Sequence, residues 1–272
     1  MTTNNANAGD IYLTQPINAV TLEPIEVAPS SQTLEIGILT IGKPTVAMAL
    51  SSLLLQDEQR IRIHIVDTAP SPIINKPEIQ FALRLAADRE ITCTYEHLHD
   101  DKRAFSLGRR ALMETLHGNN VCFMDDDVVM PSQALTRMLG YITSHPRYGW
   151  LAPNCKNVAT KRTALAGREH YSPGGVFRQD KIVRNILLEY YETTVDVLDK
   201  QAAPRKVWEI AFLTELCPLL KRSIHVQEDN VVYHLDYNER PNWDLLQENL
   251  VRSSREVAEK LVAKYKGVMR EA

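Results

Sequence analysis

An α/β fold, with one mostly parallel sheet and helices on both of its faces, is the class the sequence predicts. Three observations carry it. Apolar strand-like runs alternate with helical segments from Leu34 onward, the order that builds a parallel sheet through right-handed crossovers. The runs are nearly continuous in apolar residues, as in strands covered on both faces. Polar or acidic residues gather where the runs end, at Thr40, Asp67 and Asp125 to Asp127, on the carboxyl edge where open sheets of this kind bind ligands.

A chain of 272 residues with 44% hydrophobic content can bury a large core. Its net charge of -3 gives no global reason to expect nucleic acid or an acidic membrane surface as partner. Cys93, Cys122, Cys155 and Cys217 show no CxxC or CxxH spacing, so zinc and haem signatures are absent and the thiols read as reduced residues of a cytoplasmic protein. No apolar run approaches the roughly 18 residues of a membrane span. The N-terminus also does not carry the basic-then-apolar order of an export signal.

Residues 1–32, rich in Asn, Thr, Ala, Pro and Ser, read as a loosely held arm. LEIGILT, from Leu34, is the first strand; Gly42, Lys43 and Pro44 break it, and TVAMALSSLLLQ follows with helical spacing. RIRIHIV is a second strand with its polar tip at Asp67 and Thr68. A helix over Ile79 to Ala87, a strand at Ile91 to Tyr95 and a helix over Phe105 to Leu116 lead to the acidic strand from Val121. Next come a helix from Ser132 to Ser144 and a strand from Tyr148 to Asn154, which closes a first half at residues 33–155. Residues 156–241 form a second half. It opens on an irregular basic stretch, Lys156 to Arg184, around Pro173-Gly174-Gly175, either a lid or binding loop or a solvated excursion. KVWEIAFLTEL is strand-like, Glu228-Asp229 falls at a turn, and NVVYHLDY is a further strand. Residues 242–272 read as an amphipathic helix, with Leu246, Leu250, Val257, Leu261 and Tyr265 on one stripe.

The chemistry concentrates in VCFMDDDVVMP. A helix N-cap needs one Asp, whereas three in succession after a buried strand repel one another unless a cation sits among them. Asp125 and Asp127, at alternate positions of an extended segment, project to one side, and carboxylate oxygens suit Mg²⁺ or Mn²⁺. Asp126 then faces elsewhere, as toward a ribose.

From Leu34 to Pro131 the sequence resembles the nucleotide-binding half of glycosyltransferases with the A-type, Rossmann-like fold, the large family-two group in particular. The strand ending at Thr40, the strand ending at Asp67, Arg109 in FSLGRRALM and the acidic run match that group's motifs in order. The resemblance implies a nucleoside-diphosphate sugar donor, a UDP- or GDP-sugar, contacted by Thr40, Asp67, Arg109 and Asp126. It implies a metal, Mn²⁺ or Mg²⁺, on Asp125 and Asp127 with a late His, here His234, and an acceptor hydroxyl of unspecified class. Leu213-Thr214-Glu215 falls where the acceptor strand belongs, without the usual glycine. The catalytic base is matched by Asp229 or by Asp244. Read as residues alone, Asp67 also fits a turn cap, Arg110 fits the role of Arg109, and His234 fits a core histidine.

Two other readings are weighed. In a haloacid-dehalogenase-type phosphatase, Asp125 would be the nucleophile and Asp127 the acid, with Glu228-Asp229 on Mg²⁺, although that motif normally opens its fold. In a nucleotide-sugar-binding protein the same pocket would serve without transfer.

Overall fold

The run LEIGILT becomes β1 (Leu34–Thr40), and every residue of it is buried, as the central strand of a two-faced sheet must be. The computed structural model describes residues 33–98, 104–158, 174–201, 209–235 and 255–265. Parallel to β1 lie β2 (Ile61–Asp67) on one side and β4 (Asn120–Asp125) on the other, with β3 (Thr92–His97) beyond β2. Thr40 pairs with Asp67 and Leu39 with Asp125, so the polar tips of three strands finish together on one edge.

The crossovers alternate between faces. Helices α1 (Val46–Leu54), α2 (Pro77–Asp88) and α4 (Ala134–Ser144) bury Leu50, Leu53, Ala82, Leu135 and Met138 against Ile36 and Ile38 on one side. On the other, α3 (Ala104–Thr115), α5 (Lys181–Gln201), α6 (Glu209–Leu219) and a last helix, α7 over residues 255–265, cover Leu39, Val121 and Phe123. Each fully enclosed Leu or Ile in these layers contributes about 1.5 to 3 kcal/mol. Helix α3 lies unusually close to β1, because a Cβ built on Gly108 would stand 2.2 Å from the Leu39 Cδ1. Glu35, charged yet buried within β1, accepts the backbone N–H groups of His117 and Gly118 at 2.6 and 2.8 Å, which ties the entry of β4 to the central strand.

Beyond β4 the sheet turns mixed. Its order is β3-β2-β1-β4-β7-β6-β8-β5, where β7 (Val176–Arg178) runs antiparallel to both β4 and β6 (Tyr148–Asn157). The long β8 (Ser223–His234) is parallel to β6, with a register break after Gln227, and its end pairs antiparallel with the two-residue β5 (Val128–Val129). The eight strands thus form one α/β sheet with helices on both faces, as the alternation predicts.

Two stretches fold differently from what their sequence patterns predict. The stretch from Lys156 to Arg184 is not irregular throughout: β6 runs to Asn157, β7 is a strand, and α5 has begun at Lys181. A three-residue strand is too short to show a period, whereas Val183, Ile186, Leu187, Tyr190 and Tyr191, all buried, do form a helical stripe. From Glu209 on, the run KVWEIAFLTEL is not a strand, since α6 occupies Glu209–Leu219 and buries Phe212, Leu213 and Leu216; its first three residues, 206–208, lie outside the described residues. A dense apolar run reads equally as covered strand or covered helix, and with this run in α6 the expected acceptor strand at Leu213 to Glu215 disappears. Of the helix expected over residues 242–272, residues 255–265 are helical as α7 and bury Ala258, Leu261 and Val262; residues 242–254 and 266–272, and the arm at residues 1–32, lie outside the described residues.

Candidate active site at the carboxyl edge of the sheet

Strand β4 carries the acidic run to the edge of the sheet and β5 holds it there. Asp125 ends β4, and β5 takes up pairing with β8 at Val128 opposite His234; the Leu235 N–H also donates to the Asp127 carbonyl at 2.8 Å. The three aspartates consequently diverge. Asp125 meets Arg109, whose Nη2 stands 3.0 Å from Oδ1. Asp126 turns toward β1, accepting the Thr40 hydroxyl at 2.8 Å and, more loosely, the Ile41 N–H at 3.4 Å. Asp127 accepts the Lys43 ammonium on Oδ2 at 2.6 Å and faces the His234 Nε2 from Oδ1 at 3.0 Å.

Neighbouring carboxyls of one run are pushed in opposite directions. Burial raises the Asp126 carboxyl above the usual carboxylate range, against the Thr40 hydrogen bond and the Lys43 charge. Burial also works to raise Asp127, but hydrogen bonds and charge from His234 and Lys43 outweigh it and hold that carboxyl below the ordinary range. On His234, burial acts to depress the imidazole, and Asp127 reverses it by hydrogen bond and charge, leaving the group above its ordinary value. Asp127, with the Lys43 ammonium on one oxygen and the His234 imidazole on the other, is the electrostatic centre of the edge.

Asp125, Asp127 and His234 each offer one ligand atom, and these atoms lie within 4.8 Å of one another. Two carboxylate oxygens and an imidazole nitrogen form a donor set that a divalent ion such as Mn²⁺ or Mg²⁺ accepts, with positions left over for phosphate oxygens and water. The residues present therefore fit a metal.

Arg109 is 1% exposed and stacks over the Phe123 ring at 4.9 Å. Its neighbour Arg110 instead points outward to Glu114 at 3.0 Å, so of the two arginines only Arg109 joins the edge. Thr40 also belongs to it. Asp67 stands on the same edge but is turned into the protein: at 0% exposure, it accepts the Ala69 and Ile73 N–H groups at 2.9 and 2.8 Å and the Tyr95 hydroxyl at 2.6 Å. It presents no exposed surface on which a nucleotide base could rest.

The structure does not bring Asp229 to the site. Asp229 is exposed in the irregular part of β8, where its carbonyl accepts Arg137 of α4 at 3.3 Å. The strand between it and His234 rises roughly 3.3 Å per residue, a separation on the order of 15 Å. Glu228 is equally exposed on the same bulge, within the strand and not at a turn between two. Asp244 lies outside the described residues, as do residues 159–173 of the basic segment. Lys43 is a residue of this edge that sequence reasoning passed over; a lysine in a Gly-Lys-Pro break directly after a strand ending at the edge was its available signal.

No protein-family model matches the sequence, and no curated protein does. Solved structures do match. The chain is similar to residues 1–349 of S. aureus TarS in complex with UDP-GlcNAc, at 14% identity and TM-score 0.56, over 86% of this chain and 71% of that one. A longer TarS structure aligns at the same identity and TM-score, and the chain spans 42% of its length. It is also similar to the mannosyltransferase PcManGT of Pyrobaculum calidifontis in complex with GDP-Man and Mn²⁺, at 12% identity and TM-score 0.50, over 90% of this chain and 79% of that one. At such identities the likeness establishes the fold, which is the A-type fold of these glycosyltransferases.

Proposed function

We propose that the protein is a metal-dependent glycosyltransferase that moves a sugar from a nucleoside-diphosphate sugar to an acceptor hydroxyl. One observation carries this reading. Asp125 at the end of β4, Asp127 in the turn after it and His234 at the end of β8 offer ligand atoms within 4.8 Å of one another at the carboxyl edge of a fold whose solved examples bind UDP-GlcNAc in one case and GDP-Man with Mn²⁺ in another.

In this proposal Asp125, Asp127 and His234 hold Mn²⁺ or Mg²⁺, which when bound supplies Lewis-acid stabilisation to the charge developing on the departing diphosphate. The protein's residues do the rest. Arg109, buried and fixed on Phe123, holds the Asp125 carboxylate in place. Thr40 and Asp126 close the edge between β1 and β4, and Asp67 shapes the loop after β2 against which the nucleotide base would rest. Transfer with inversion requires a carboxylate to accept the acceptor's proton. With Asp229 remote, Asp244 is taken forward as that base.

The phosphatase reading needs Glu228-Asp229 beside Asp125 to hold Mg²⁺, and both are out on the bulge. Among the described residues the acidic strand is also the fourth, not the first.

The test is to incubate the protein with UDP- and GDP-sugars, with and without Mn²⁺, and to assay free nucleoside diphosphate. Metal-dependent release supports the transferase. Tight binding without release points to a binding protein, and release of inorganic phosphate from sugar phosphates points to the phosphatase.

A further inference from the structure

The chain supplies its own cation to the acidic run. Gly42, two residues after Thr40, has φ at +85°, and a Cβ there would stand 2.8 Å from the Ala69 Cβ, so the turn accepts only glycine without strain. Its N–H donates to the Thr40 Oγ1 at 2.9 Å and its carbonyl accepts the Lys76 ammonium at 3.1 Å. From this anchored turn Lys43 extends to 2.6 Å from the Asp127 Oδ2 and 3.8 Å from the Asp126 Oδ1. With His234 on Oδ1, both oxygens of Asp127 carry a partner.

Resting on the glycosyltransferase reading above, we infer that Lys43 couples metal binding to donor binding: its ammonium opposes a divalent ion at Asp127 until a nucleoside diphosphate draws it onto phosphate oxygens. An ion ligated by Asp127 meets a positive charge already on that carboxylate, and like charges this close repel strongly where burial limits screening. The Lys43 side chain is 30% exposed on a flexible four-carbon stem, so the head can leave Asp127 without unfolding the turn. A diphosphate brings negative oxygens that the ammonium and the ion can share. Binding of either then favours the other by the same factor, as linkage requires.

The experiment follows Mn²⁺ binding to the full chain through the paramagnetic resonance signal of the free ion, with and without UDP or GDP. The wild type should bind Mn²⁺ weakly alone and roughly tenfold or more tightly with diphosphate, a coupling of ordinary size. Lys43→Met should bind Mn²⁺ alone roughly tenfold more tightly than the wild type and lose most of the gain from nucleotide, while Lys43→Arg, keeping the charge, should follow the wild type. Lys43→Gln gives the same readout should the Met variant fail to fold. Equal Mn²⁺ affinity of the wild type and the neutral variants without nucleotide overturns the role of Lys43 and leaves the glycosyltransferase reading standing. Absence of Mn²⁺ binding in every protein, with or without either diphosphate, overturns the metal assignment beneath both.

Discussion

The Thr40 hydroxyl donates to the Asp126 carboxylate across 2.8 Å, joining the ends of β1 and β4. Both groups are buried, so losing the donor leaves a carboxylate short of partners. Thr40→Val should lower unfolding free energy by about 1 to 3 kcal/mol, measured by urea denaturation, and Thr40→Ser should recover most of it. A Val variant as stable as the wild type would show that this bond holds nothing together.

Asp127 is the hub of the edge, and its neutralisation separates chemistry from folding. Asp127→Asn should abolish metal-dependent release of nucleoside diphosphate while the chain still unfolds in one cooperative transition. Full release by this variant removes Asp127 from the metal site.

His234 was legible in the sequence either as a ligand or as a core histidine, and the two roles part experimentally. As a ligand, His234→Ala should raise the Mn²⁺ requirement and shrink any preference for Mn²⁺ over Mg²⁺, since imidazole favours the softer ion. As a core residue, the same change lowers stability by about 1 to 3 kcal/mol with metal dependence unaltered.

Asp67 serves three internal donors, so its removal should be felt first in stability. Asp67→Ala is expected to cost about 2 to 4 kcal/mol in urea denaturation, well above Tyr95→Phe at about 1 kcal/mol, because two backbone N–H groups lose their acceptor along with the phenol. Equal costs would mean that the loop after β2 does not depend on this carboxylate.

Glu189 of α5 accepts Lys264 at 2.7 Å and the Tyr265 hydroxyl at 2.9 Å, tying α7 to α5. These contacts, the Lys264 hydrogen bond first, hold its carboxyl below the ordinary value of 4.5. A carboxyl depressed in the folded state contributes stability that is present above the unfolded value and lost as pH falls through the folded one. Melting curves of wild type and Glu189→Gln should therefore differ near neutrality and converge at acid pH. A gap that persists in acid would assign the difference to packing instead.

Much of the first half was readable because its physics is local. The strand ends at Thr40 and Asp67 follow from short apolar runs stopped by polar residues, and the order of motifs placed them on one edge. Arg109 against Arg110 was undecidable from sequence, since only the register of α3 on β1, allowed by the close contact of Gly108 with Leu39, decides which arginine faces the sheet. Asp229 misled because a Glu-Asp pair has the same letters on a bulge as in a pocket. Lys43 was hidden for the opposite reason: its role exists only through Asp127, a residue brought near by β1 pairing with β4.

The pairing of β5 with β8 works as a vernier. Two residues, Val128 and Val129, set which side chain of β8 stands beside Asp127. A slip of one position would turn His234 away and bring up Tyr233 or Leu235, since neighbours on a strand face opposite sides. The nitrogen of the candidate donor set is thus specified by hydrogen-bond register, and two valines with no polar side chain decide what chemistry the aspartates can do.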